Sequence, residues 1–196
     1  MPADRYRSFT TASLLLNESS QVASLYVETP DWNQLRETVL SQNLLQSRTL
    51  GTRNRVWNEV SSRLRLLNQR ELDLLANGTP QEQGYLLWVA VCRRYALIRD
   101  FAIEVVRERH LALASHLRPE DFDRFFNQKA DWHPELERMA TDTRRRLRPM
   151  LFKMMRQAGL LTPDDRIIPT ALSPRLVAAV SETSRDDLAV FPSLTP

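Results

Sequence analysis

The sequence predicts an all-α, multi-helical protein, and three observations carry that reading. Apolar residues recur at three- and four-residue intervals along most of the 196 residues. Prolines stand just before or just after those stretches, where helix boundaries belong. Capping and stop residues, Asp31 and Thr79 at helix starts and Asn77-Gly78 at a helix end, mark off the units. With 42% hydrophobic and 26% charged residues, the chain can bury the core of one large domain or of two small lobes.

Taken in order, a short first element closes at residues 13–16. Residues 18–28 set Val22, Leu25 and Tyr26 at helical spacing before Thr29-Pro30 stops the helix. Asp31 caps a helix bearing Trp32, Leu35, Val39 and Leu40. From Thr52, the residues Val56, Trp57, Val60, Leu64 and Leu67 share one face, which turns Arg55, Asn58, Ser62 and Arg65 outward on a face without negative charge. A short helix over 71–76 ends at Asn77-Gly78, read as a left-handed stop, and Thr79-Pro80 starts the next. Residues 81–95 are apolar nearly all round and predict a central helix, with Cys92 a buried small hydrophobe.

Residues 101–113 continue in helix, mixing Phe101, Ile103, Val105 and Val106 with Glu104, Arg107, Glu108 and Arg109 in oppositely charged pairs. After Arg118-Pro119 comes a helix with Phe122, Phe125 and Phe126, and Trp132-His133-Pro134 opens another at Glu135. A lobe boundary is expected between residues 117 and 120, giving an N-terminal helix-turn-helix-like lobe over 1–117, a C-terminal lobe over 118–184 and a tail over 185–196. In the second lobe Thr141 or Thr143 caps a helix reading Arg144-Arg145-Arg146-Leu147-Arg148, with Leu147, Leu151, Met154 and Ala158 inward, ending at Gly159. Leu160-Leu161 and Arg166-Ile167-Ile168-Pro169 bracket the turn Thr162-Pro163-Asp164-Asp165, at most a short β-hairpin wing. Helix, Gly-Leu-Leu, hairpin, helix is the order of a winged-helix lobe. Pro149 either kinks the long helix or marks its true first turn, and the second choice would put the arginines in a loop.

Composition narrows the function classes. A single Cys92 permits no intramolecular disulfide and points to a reducing, cytoplasmic compartment. No apolar run is long enough to span a bilayer, the best being residues 86–91, and no leader-like start is visible, so neither secretion nor membrane insertion is expected. No pair of glycines makes a phosphate loop. His110, His116 and His133 form no hydrolytic or metal pattern with the carboxylates, and Glu104, Glu108 and Asp121 read as ion-pair partners. The expectation is no catalysis, no cofactor and no metal.

Charge says more. Net charge is +3, and of the 27 basic side chains only Lys129 and Lys153 are lysines, leaving 25 arginines. Arginine grips phosphate bidentately or pairs with carboxylates in partly buried places, and high-GC coding gives the same bias, so placement must decide. The helix after Asp142 carries Arg144, Arg145, Arg146, Arg148, Lys153 and Arg156 and no acid. Arg145, Phe152 and Arg156 are expected to point away from its core face, Arg146 and Lys153 to one flank and Arg148 to the other. That is the footprint of a helix laid on a nucleic acid. The bland alternative is a solvated face, or one paired with an acidic segment such as Asp186-Asp187.

The run Asn43-Leu44-Leu45-Gln46-Ser47-Arg48-Thr49 with Thr52-Arg53, then Arg63-Leu64, Arg99-Asp100-Phe101 with Glu104-Val105-Val106, and Thr143, Leu147 and Ala158-Gly159-Leu160-Leu161 together resemble the BrxA family of bacterial BREX phage-defence systems, over about residues 9–180. The resemblance implies an all-helical protein with helix-turn-helix-like lobes, likened to the antitermination factor NusB and to DNA-binding regulators. It further implies double-stranded DNA binding without catalysis, beside a methyltransferase, an ATPase and a phosphatase-like protein. Carried onto this chain, it puts Gln46, Arg48, Thr52 and Arg53 in the segment entering the Arg55 helix. Arg53 lies near the apolar side there, so a buried ion pair or cap competes with a DNA contact. The resulting expectation is binding through arginine-phosphate contacts with little base readout, by Gln46, Arg48, Thr52, Arg53, Arg55, Arg65, Arg144, Arg145, Arg146, Arg148, Lys153 and Arg156. A protein scaffold anchored by Phe122, Phe125, Phe126 and Phe152 is the alternative, and an RNA-binding antitermination-like role the third.

Overall fold

Four consecutive helices in the computed structural model begin at a capping side chain; the structure describes residue 6 and residues 13–193. The first helix, α1 (Leu16–Glu28), stops before Pro30. Asp31 then accepts from the amides of Asn33 and Gln34 at 2.7 and 3.2 Å and opens α2 (Trp32–Ser41). Thr49 accepts from Thr52 N–H to cap α3 (Leu50–Leu64), and Asn68 and Glu71 close a reciprocal capping box on α4 (Gln69–Asn77). Thr79 and Glu82 do the same for α5 (Pro80–Arg94), whose first residue is the expected proline. The chain continues through α6 (Ala96–Phe101), a π-helical stretch (Ala102–Arg107), α7 (Glu108–Leu111), α8 (Pro119–Ala130), the short α9 (Pro134–Glu137), α10 (Thr141–Gln157), α11 (Pro174–Thr183) and a 3₁₀ helix (Arg185–Val190). Among the described residues no strand forms, only the isolated bridges His116 to Arg166 and Leu161 to Ile167, so the all-α reading holds. The element preceding residue 13 lies outside the described residues, as do 194–196 of the expected tail.

The apolar residues form one core cluster running from Tyr6 and Leu14 to Phe191, across the boundary expected near residue 117. Helix α5 is its axis: the residues from Gly84 to Cys92 are all buried, as a helix apolar on every side requires. Burial pushes the Cys92 thiol well above its ordinary value, which keeps it unreactive.

Three features depart from the sequence reading. Gly78 is extended (φ −78°) rather than left-handed; glycine is needed there because a Cβ would come within 2.3 Å of the Leu74 carbonyl. The expected helix over 101–113 changes register through the π-helical stretch, whose looser winding no apolar spacing announces. Residues 185–191, expected as tail, are packed: Leu188, Val190 and Phe191 are buried, and the Trp88 indole N–H donates to the Val190 carbonyl at 3.1 Å.

The same segment closes a buried charge cluster. The Arg93 guanidinium meets Glu71 through two bonds of 2.7 Å, Asp187 at 2.8 Å and the Leu66 carbonyl at 2.8 Å, with Glu71 fully buried and Asp187 nearly so. Arg63, also fully buried, donates to the carbonyls of Ser13 and Leu14 at 3.0 and 3.2 Å and lies 2.7 Å from Glu59, which accepts from the Tyr95 hydroxyl. Burial, with Glu59 behind it, pushes that phenol up to about 12.

Glu82 gives the fold an acid sensitivity. Its buried carboxylate is held by Arg175 (2.7 Å from Nε), by the Ser173 hydroxyl at 2.6 Å and by the amide and hydroxyl of Thr79 at 2.9 Å. Arg175 foremost, against the burial that opposes it, keeps this carboxyl far below its ordinary value of 4.5. Because the folded value is depressed, the stabilisation is complete above about pH 4.5 and is lost as pH falls through the folded value. Glu82→Gln is therefore expected to cost about 1–3 kcal/mol at neutral pH, and to flatten the dependence of the melting temperature on pH below 5. Parallel wild-type and variant melting curves across that range would remove Glu82 as the cause.

Candidate nucleic-acid interface

Helix α10 contains residues 144–148 in helical conformation, so Pro149 sits inside the helix rather than at its start. The proline is exposed, on the side where water can satisfy the Arg145 carbonyl that loses its amide partner. Neither Thr141 nor Thr143 caps the helix: Ala140 occupies the N-cap position without a side-chain bond, and Thr141 is already the first helical residue. Its far end closes as a Schellman motif. Leu160 N–H reaches the Met155 carbonyl at 2.9 Å, Gly159 N–H reaches the Arg156 carbonyl at 3.1 Å, and Gly159 has φ +73°.

The chain then doubles back. Thr162 N–H donates to the Arg166 carbonyl and Ile168 N–H to the Leu160 carbonyl, both at 2.9 Å, around a turn with Asp165 at φ 61°. Thr162 and Arg166 bind Asp164 at 2.6 and 2.8 Å and hold that carboxyl at about 2. Residues 115–117 lie along the returning segment, with Ile167 N–H to the Ser115 carbonyl at 2.7 Å and Leu117 N–H to the Asp165 carbonyl at 2.9 Å.

The six cations of α10 separate into two groups. Arg144 stands 4.5 Å over the Phe126 ring and bonds Asn127, Arg148 pairs with Asp123 at 2.7 Å, and Arg156 pairs with Asp165 of the turn. These three tie α10 to α8 and to the turn. Arg145, Arg146 and Lys153 are exposed; the nearest acid to Arg145 is Asp142 at 4.0 Å, and Arg146 and Lys153 have no partner among the described residues. Phe152, expected outward, is buried, because Phe152 and Met155 widen the inward stripe beyond Leu147, Leu151, Met154 and Ala158. Phe122, Phe125 and Phe126 are buried as well, with Phe101 packed edge-on to the first two, so none of the four phenylalanines is available as a surface anchor. Asp187 faces Arg93 and Arg99, not α10.

The second set of expected residues lies around α3. Gln46 and Arg48 are exposed in the turn over residues 42–49, Gln46 with φ 49°. Thr52 completes the cap with Thr49 at 3.0 Å. Arg53 turns inward and donates to the Leu40 carbonyl at 2.6 Å, which makes it a fastener of α2 to α3 rather than a free cation. Arg55 and Arg65 are exposed, Arg65 lying 4.9 Å over the Trp32 ring. The sequence did not single out the exposed apolar side chains Leu111, Leu113 and Trp132, the last 84% accessible. Leu111 is the last residue of α7, and Leu113 and Trp132 follow helix ends, where helical periodicity says little of orientation.

The family model BrxA matches residues 5–184 of this chain. A BREX protein BrxA from Escherichia coli O9:H4 (strain HS) is 27% identical over 177 residues, covering 89% of this chain and 83% of that protein. Another from Paramagnetospirillum magneticum (strain ATCC 700264 / AMB-1) is 24% identical over 163 residues, covering 83% and 82%. The crystal structure of an uncharacterized protein from Magnetospirillum magneticum superposes with a TM-score of 0.78 at 19% identity, covering 97% of this chain and all of the other.

Proposed function

This chain belongs to the BrxA family, and from that premise we propose that it is a non-catalytic, double-stranded-DNA-binding component of a BREX phage-defence system. The observation that carries the reading is the outward stripe of α10, where Arg145, Arg146 and Lys153 stand exposed, only Arg145 having an acid nearby, Asp142 at 4.0 Å, while the other three cations fix the helix in place. The surroundings support it. A segment at 115–117, then α8, then α10, then the doubled-back turn is the order of a winged helix, in which the helix before the wing enters the major groove. Arg48, Arg55 and Arg65 add a second basic surface around α3. Binding is dominated by phosphate contacts on α10, and other BREX components, such as the methyltransferase, ATPase and phosphatase-like protein, are its protein partners.

The test is binding of a labelled random-sequence duplex across a salt series, beside single-stranded RNA. Arg145→Ala/Arg146→Ala/Lys153→Ala is expected to weaken duplex binding about 10- to 100-fold and to lower the slope of log affinity against log salt by about 2–3. Absence of duplex binding at low salt would overturn the reading, and tighter binding to RNA would replace it with the antitermination-like role. A scaffolding role is favoured by one separate observation, the accessible Leu111, Leu113 and Trp132. Loss of co-purifying BREX proteins on replacing these three, with duplex binding intact, would establish it.

A further inference from the structure

We infer that α3 reads base sequence, with Arg55 and Asn58 as its specificity-determining side chains; this rests on the duplex-DNA reading above and assigns it a second task. The outward face of α3 runs Gly51, Arg55, Asn58, Ser62 and Arg65, at alternating intervals of four and three residues. No carboxylate shares it, because the only acid of the helix, Glu59, turns inward to Arg63 and the Tyr95 hydroxyl, each at 2.7 Å. Several polar neighbours are committed to the helix itself: Asn54 donates to the Leu50 carbonyl at 3.0 Å, Ser62 to the Glu59 carbonyl at 3.0 Å, and Thr52 completes the cap. The side chains of Arg55 and Asn58 have no partner among the described residues.

That pairing of residue types matters. A guanidinium offers two parallel donors to the O6 and N7 of guanine, and a carboxamide offers a donor and an acceptor to the N6 and N7 of adenine. The free cations of α10, by contrast, have no free carboxamide beside them, since the one amide side chain of that helix, Gln157, is bonded to the Leu14 amide, and they suit phosphate, which carries no sequence. From Gly51 to Asn58 the helix rises about 10 Å, the span of about three stacked base pairs. Gly51 faces open space, with nothing within 4 Å of an added Cβ, so its backbone is free to approach a groove wall closely.

Base readout also needs a helix held in one place, and the support is present. The turn before α3 buries Leu45 and Ser47, and the Asn43 carboxamide brackets Ser47, donating to its carbonyl at 3.2 Å and accepting from its amide at 3.0 Å. Arg53 fastens the C-terminal end of α2 to α3. Trp32 stacks on Tyr26 with ring centroids 4.2 Å apart and meets Trp57 of α3 at 6.5 Å. The occupant that fits this face is therefore the major groove of a DNA duplex.

The experiment is selection of a randomised duplex library by the full chain, followed by titration of the enriched duplex and a scrambled one. Wild type is expected to enrich a motif of two or three adjacent base pairs containing guanine and adenine, bound about tenfold more tightly than the scramble. Arg55→Ala should lose the guanine preference and Asn58→Ala the adenine preference, with overall salt dependence little changed for Asn58→Ala. Gly51→Glu, folded because nothing crowds that position, should lose the enriched duplex. Tight duplex binding with no enriched motif, or motifs unchanged in the variants, would overturn this inference and leave the DNA reading standing. No binding to any duplex would overturn both.

Discussion

Arg93→Met is expected to destabilise the protein by about 3–5 kcal/mol, lowering the melting temperature by about 10 °C or more. The reason is what the substitution leaves behind. Glu71 is fully buried and Asp187 nearly so, and Arg93 is the cation that satisfies both at 2.7–2.8 Å. Arg99 approaches Asp187 only at 3.8 Å, and the second task of Glu71, accepting the Asn68 amide at 2.8 Å in the cap of α4, does not neutralise a charge. Chemical denaturation of Arg93→Met and of Arg93→Met/Glu71→Gln/Asp187→Asn separates the pair's net value from the penalty of a lone buried charge. The triple variant should recover part of the loss. If it is no more stable than Arg93→Met, uncompensated charge is not the source of the damage.

Arg63→Ala is expected to cost about 3–5 kcal/mol by a different route. Its guanidinium holds the carbonyls of residues 13 and 14 against α3 while facing Glu59, and no part of the side chain reaches water. Removal leaves the buried Leu14 carbonyl and the part-buried Ser13 carbonyl under-satisfied and opens a cavity. Arg63→Lys restores the charge but not the planar fork that spans two carbonyls and a carboxylate, so it should recover less than half of the loss. Hydrogen exchange at the Leu14 amide gives the local readout: protection should fall in Arg63→Ala before global unfolding. Unchanged protection there would dissociate Arg63 from the anchoring of this segment.

These two arginines mark the limit of what the sequence discloses. Helix ends were legible at Asp31, Thr79-Pro80 and Gly159, because a cap or a left-handed residue acts within one turn, and were misread at Gly78 and at the start of α10. The all-round apolar character of α5 likewise announced the core. The role of each arginine was not legible, since Arg93 finds Asp187 ninety-four residues away and Arg63 finds residue 14 forty-nine away. For the same reason the six cations of α10 looked alike in sequence, although Asn127, Asp123 and Asp165 immobilise three of them. Phe152 was misplaced because a four-residue inward stripe gives a helix's orientation but not the breadth of its buried face. Part of the bias toward arginine thus serves internal fastening, as at Arg53, Arg63 and Arg93.

The backbone at residues 13–14 joins the ends of α3 and α10. Arg63, at the end of α3, holds the carbonyls of Ser13 and Leu14, while Gln157, at the end of α10, accepts the Leu14 amide at 2.9 Å. The peptide unit between residues 13 and 14 is thus fastened at its carbonyl to α3 and at its amide to α10. Drawing the ends of the two helices apart would therefore break at least one of these bonds.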